Sequence, residues 1–146
     1  MFSNAPRILL IDDNRHGLPA RRCALQEAGY EVETAGGGNA GLKLFFDRQF
    51  DAVVTDYRMP EVNGSEVLRA VREHNGRIPV VILSGQTRKL GLTEASTGAD
   101  AVLAKGPTEE RDLIRAIDRL VRKSPGRSRS TAAPSGARVF AVSGRK

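Results

Sequence analysis

The chain reads as an α/β protein: a five-stranded parallel sheet with helices on both faces. Three observations predict this. Five short apolar runs recur at residues 7–11, 31–34, 52–55, 79–83 and 101–104. Between them lie segments with helical spacing or helix-end signals. All the runs but the second are near-continuous rather than alternating, as strands buried on both faces must be. Strands alternating with helices imply right-handed crossovers, and the arrangement that fits is flavodoxin-like, with strand order 2-1-3-4-5.

Taken in order, Arg-Ile-Leu-Leu-Ile at 7–11 forms the first strand and runs into Asp12-Asp13. Pro19 marks the first turn of a helix, where its missing N–H costs nothing. That helix continues to about Ala28, and Gly29 suits its C-terminal cap. Cys23, on this helix, reads as a small core filler. Residues 31–34 alternate polar and apolar, as an edge strand does. After Gly36-Gly37-Gly38 comes a helix in which Leu42, Phe45 and Phe46 share a face. The third strand, 52–55, ends at Asp56, and a helix from Gly64 places Gly64, Val67, Leu68 and Val71 on one side. The fourth strand ends in Ser84-Gly85. Residues 87–97 predict a weak, mobile helix, because Gly91 and several Ser and Thr residues interrupt them. The fifth strand runs into Lys105. Pro107 and Glu109-Glu110 open the last helix favourably for its dipole, and Leu113, Ile114, Ile117, Leu120 and Val121 form its apolar stripe.

At 146 residues there is room for one core and a tail. No apolar run approaches the roughly 20 residues that span a bilayer, and the start lacks a signal-peptide pattern. The single cysteine excludes an internal disulfide or a multi-cysteine zinc site, which fits a reducing, cytoplasmic setting. The net charge of +6 is unevenly placed. Residues 1–121 carry 16 basic against 17 acidic residues, whereas 122–146 carry the other 7 basic residues and no acid. The boundary reads as a domain over 1–123 and a basic tail, rich in Ser, Gly, Pro and Arg, over 124–146. Too little apolar surface lies in the tail to offset ordering, so it is expected to be disordered. Its apolar patch, residues 139–142, could order only by docking. Its cations could attract nucleic acid weakly and in a salt-sensitive way, although a solvated tail is the plainer reading. No membrane partner is expected.

The fold reading brings Asp12, Asp13, Asp56, Ser84 and Lys105 to one edge of the sheet. Asp56 alone could be a metal ligand, a nucleophile or a cap; Asp12 or Asp13 alone could cap a helix. Ser84 alone reads as a turn residue and Lys105 as a solvated charge. Together they form a hard oxygen site suited to Mg²⁺, with a hydroxyl and a cation able to meet a phosphoryl group. His16 and His74 have no ligand partner at useful spacing and read as surface residues.

This set resembles the receiver domain of two-component response regulators, over about residues 6–122. Asp12-Asp13, Asp56 with Met59-Pro60 and Gly64, Ser84-Gly85 and Lys105 match the family's motifs in order. The resemblance implies that Asp56 accepts a phosphoryl group from a histidine kinase or a histidine phosphotransfer protein. It implies that Asp13, Asp56 and the carbonyl of Arg58 hold Mg²⁺, with Asp12 acting on that site through water or hydrogen bonds. Ser84 and Lys105 would contact the phosphoryl group. The product would be a signalling state rather than a released compound, so a signalling protein is expected rather than an enzyme.

The sequence departs from the family at two positions. Val102 stands where the family has an aromatic switch residue, so the usual coupling to the hydroxyl residue is in question. Lys105 is followed by Gly106 rather than proline, and a cis bond there would cost about 2.5–4 kcal/mol, so a trans bond or a rearranged loop is expected. Arg58 and Gln86 flank the phosphoryl position, where the family tunes dephosphorylation. About 24 residues follow the last helix, too few for an output module. The reading is a stand-alone receiver that signals by binding an unknown downstream protein. The alternative is a receiver-fold binding module that works without phosphorylation.

Overall fold

The computed structural model describes residues 5–122. The sheet consists of β1 (Arg7–Ile11), β2 (Glu31–Ala35), β3 (Ala52–Asp56), β4 (Val80–Ser84) and β5 (Ala101–Ala104). All pairs are parallel and the order is β2-β1-β3-β4-β5, the doubly wound order expected. The helices are α1 (Leu18–Glu27), α2 (Gly38–Asp47), α3 (Gly64–His74), α4 (Thr87–Leu90), α5 (Glu94–Thr97) and α6 (Glu109–Ile117). A π-helical turn, Asp118–Arg122, prolongs α6. No helix among the described residues is long and apolar enough to cross a membrane. The basic stretch 124–146 and its apolar patch lie outside the described residues.

Successive strand residues point to opposite faces, and the apolar runs therefore feed two cores. Ile8, Leu10, Val54, Val81 and Leu83 pack with Leu25 of α1 and with Leu113 and Ile117 of α6. Leu9, Ile11, Val53, Val80 and Ile82 pack with Phe45 of α2 and with Val67, Leu68 and Val71 of α3. Each such fully buried aliphatic side chain contributes about 1.5–3 kcal/mol. The two layers clamp the sheet from both sides and hold the ends of β1, β3 and β4 in register. Ile11 lies beside Thr55, and Asp56 beside Leu83.

Helix α3 buries Gly64, Val67, Leu68 and Val71, the stripe read from the sequence. Asn63 starts it with a capping box: its side chain accepts the Glu66 N–H at 3.0 Å, and Glu66 accepts the Asn63 N–H at 2.9 Å. Gly64 is needed for close approach. A Cβ there would lie 2.7 Å from the Asp56 carbonyl oxygen and 2.9 Å from Tyr57 Cα.

Three expectations are corrected. Cys23 is exposed, not a core filler; the inward face of α1 carries Arg21 and Leu25. Phe46 is 54% exposed rather than sharing the buried face with Phe45. Gly41 and Phe45 take the inward side of α2, and each residue turns the helix by about 100°, so Phe46 swings out. There it meets the rings of Phe45 and the exposed His74 edge-on, at 5.4 and 5.2 Å. The single weak helix over 87–97 is two short ones, because Thr93 begins a capping box of its own with Ser96. The last helix keeps the apolar stripe expected of it, with Leu113, Ile117 and Leu120 buried and Ile114 and Val121 packed against them, and changes to π geometry at Asp118. As expected for the Lys105–Gly106 bond, no cis peptide occurs among the described residues.

Candidate functional site

Three strands end in polar residues at the carboxyl edge of the sheet. The apolar run of β1 stops at Asp12, which is 1% exposed, followed by the exposed Asp13. Neither caps α1, whose N-cap is Gly17 and which has no side-chain cap. Instead Asp12 Oδ1 accepts the Asn14 N–H at 2.8 Å and tightens the turn after β1. β3 ends at the buried Asp56 and β4 at the buried Ser84. Lys105 follows β5, and its N–H donates to the Ser84 carbonyl at 3.0 Å, which fixes the start of its loop.

The carboxylates of Asp12, Asp13 and Asp56 converge, with one oxygen of each within 4.8 Å of the others. Lys105 Nζ lies 2.9 Å from Asp56 Oδ1 and 3.8 Å from Asp12 Oδ2. Asp56 Oδ1 also accepts the Tyr57 N–H at 3.0 Å. Burial pushes the Asp56 carboxyl above its usual range; Lys105 pulls it back, while Asp12 and Asp13 push it further up. Ser84 Oγ accepts the Gln86 N–H at 3.0 Å, which fixes its place at the end of β4. Arg58 lies two residues beyond Asp56, with its side chain exposed. The donor set is all oxygen, with neither histidine nor cysteine, and this fits a hard divalent cation such as Mg²⁺.

The structure therefore brings together Asp12, Asp13, Asp56 and Lys105, with Ser84 at the end of the neighbouring strand. The sequence reading missed a sixth member. Arg21 of α1 is 4% exposed and pairs with Asp12 Oδ2 through Nη1. Its Nε donates to Glu109 Oε2, in the first turn of α6, at 2.5 Å. Burial alone would lower its pKa, but Glu109 and Asp12 outweigh it and the guanidinium is held more firmly charged than usual. One signal could have found it. Leu18, Arg21 and Leu25 stand at i, i+3 and i+7, so Arg21 lies on the inward stripe of α1.

Val102, at the position read as lacking a ring, has its N–H bound by Glu94 Oε2 at 2.8 Å. The outer edge of β5 is thus covered locally by the start of α5.

The model of the response regulator receiver domain family matches residues 8–118. The transcriptional regulatory protein RprY of Bacteroides fragilis is 33% identical over 122 residues, covering 83% of this chain and 51% of RprY. The chain thus spans about half the length of the curated relatives it matches. A response regulator receiver domain from Clostridium thermocellum superposes with a TM-score of 0.73 at 31% identity, covering 82% of this chain and 97% of that one. The response regulator TrrA of Thermotoga maritima, solved in complex with Mg²⁺ and BeF, gives 0.68 at 29% identity, covering 79% and 98%. Fold, strand-end carboxylates and these likenesses agree, and the chain belongs to the response regulator receiver domain family of two-component signalling.

Proposed function

We propose that Asp56 is the phosphoryl acceptor, charged by the phosphohistidine of a sensor kinase or of a phosphotransfer protein. The observation that carries this is the position of Asp56 at the end of β3, 2.9 Å from Lys105 and converging with two further carboxylates. An Asp56 carboxylate oxygen attacks phosphorus, the P–N bond breaks, and the imidazole leaves with the electron pair and takes up a proton. Lys105 neutralises the equatorial oxygens as charge spreads over them, and the Ser84 O–H donates to one of them. Asp13, Asp56 and the carbonyl of Arg58 would hold Mg²⁺, with Asp12 beside them. When bound, the ion supplies charge neutralisation at the transferring group.

The phosphorylated domain then signals by binding a protein partner. No residue of α4 or α5 is buried, so this face, next to Ser84, is free to change its contacts. Incubation with Mg²⁺ and acetyl phosphate should add one phosphoryl group at Asp56, seen by mass spectrometry of intact protein and peptides. Equal labelling of wild type and Asp56→Asn would sink the assignment, as would no labelling of wild type.

A further inference from the structure

Arg21 has no role in the chemistry above, yet it is the most fully buried cation of the described residues. The fold makes room for it. A Cβ on Gly17 would lie 2.9 Å from both terminal nitrogens of the Arg21 guanidinium, so glycine before α1 leaves room for the group against the turn. Two nitrogens of the guanidinium are engaged, Nη1 by Asp12 and Nε by Glu109. Each Asp12 oxygen is held in turn: Oδ1 accepts the Asn14 N–H and Oδ2 accepts from Arg21.

We propose that Arg21 is a built-in counter-cation, a positioning residue that holds Asp12 in place and weakens the pocket's affinity for divalent cations. This rests on the reading that Asp13 and Asp56 hold Mg²⁺. Three converging carboxylates without compensation would repel one another and attract a divalent ion strongly. Arg21 and Lys105 supply two positive charges against them, so the pocket assembles without metal. Glu109 returns part of the negative charge through its hold on Arg21. The cation affinity of the pocket is thereby tied to the first turn of α6, where Glu109 Oε1 also accepts the Gly106 N–H at 3.1 Å, one residue beyond Lys105.

The proposal predicts opposite signs for two neighbouring substitutions, which loss of packing would not produce. Mg²⁺ binding is measured on the full chain by titration calorimetry and by the shift of the unfolding midpoint with Mg²⁺. Arg21→Met should bind Mg²⁺ about tenfold or more tightly than wild type, because a unit charge is removed close to the ion. Arg21→Lys should return most of the way to wild type, since it restores the charge. Glu109→Gln should bind a few-fold more weakly, because the charge of Arg21 then falls on the pocket without the offset of Glu109. Equal or weaker binding by Arg21→Met overturns the proposal. Should Arg21→Met not fold, Glu109→Gln decides: weaker binding supports the proposal, and unchanged or tighter binding overturns it. Asp13→Asn separates this inference from the reading beneath it. If wild type binds, Asp13→Asn does not, and Arg21→Met equals wild type, only the inference falls. If wild type shows no more binding than Asp13→Asn, the metal site itself is wrong and both fall.

Discussion

Two polar clusters at opposite ends of β4 use the same residue types under opposite rules. At its amino end, Asp100 Oδ2 accepts the Val80 N–H at 2.8 Å and Arg72 Nη2 at 2.9 Å, and the Asp100 N–H returns a bond to the Val80 carbonyl at 2.9 Å. Arg72 turns its other donors to the carbonyls of Ile78, at 2.8 Å, and Gly98, at 2.9 Å. One carboxylate and one guanidinium thus meet three backbone groups, and like charges are kept apart. At the carboxyl end three carboxylates converge, and two cations offset them. The first cluster ties the loops before β4 and β5 to α3 and serves the fold. The second holds a buried carboxylate that its surroundings make reluctant to ionise, which costs stability and keeps a nucleophile in place. The difference teaches what to look for: backbone partners mark a lock, and crowded like charges mark a site.

The sharpest way to break that comparison is Asp56→Asn. Loss of phosphoryl transfer should be complete. In metal-free buffer the unfolding midpoint should nonetheless rise by a few degrees, because a buried charge beside two like charges has been removed. A fall in the midpoint by thermal scan would mean that the Lys105 pair outweighs the crowding, and that the carboxyl-end cluster is a lock as well.

The converse substitution is Asp100→Asn. It keeps the shape but removes the charge that Arg72 and the Val80 N–H share, and should cost about 2–3 kcal/mol in urea unfolding. Phosphorylation at Asp56, measured where the variant is folded, should proceed at the wild-type rate. A tenfold slower rate in folded protein would show that the two ends of β4 are coupled and that the division into lock and site is too sharp.

Much of this was legible in the residues because a parallel sheet writes its own pattern. Val53, Val54, Val81 and Ile82 must be apolar on both faces, so the runs are continuous and their ends are visible. Asp12, Asp56, Ser84 and Lys105 were found because they stand where those runs stop. The α3 stripe was legible for a similar reason, with its four buried residues at helical spacing. Arg21 was not, since the partner that explains its burial, Glu109, lies 88 residues away, and a run of Arg21-Arg22-Cys23 suggests a wet face carrying one small apolar residue. Composition favoured Cys23 inside, while the geometry of α1 with Gly17 beneath it favoured Arg21. The break in the helix over 87–97 was visible as weakness, but Thr93 as a new start required seeing its reciprocal bond with Ser96.

A third cluster, built around a neutral donor, sharpens the comparison with the smallest expected effect. The buried Tyr30 hydroxyl donates to Asp118 Oδ1 and accepts from Arg122 Nε at 2.9 Å, while Arg122 lies over the ring at 4.7 Å and donates to the Ala28 carbonyl at 3.1 Å. It joins the end of α1 to the π-helical turn, a lock with no crowded like charges. Burial, helped by Asp118, pushes the phenol up to about 12. An unfolded tyrosine ionises near 10, so the folded chain keeps a proton that the unfolded chain gives up. Stability from this group is therefore fully present below about pH 10 and is lost as the pH rises through about 12. Tyr30→Phe should cost about 1 kcal/mol at neutral pH, and its deficit against wild type should shrink across that window as wild type loses what the variant never had. Paired urea unfolding midpoints at rising pH measure the gap. A gap that stays constant to the alkaline end would mean that the hydroxyl contributes nothing that ionisation removes, and that packing of the ring alone holds the turn.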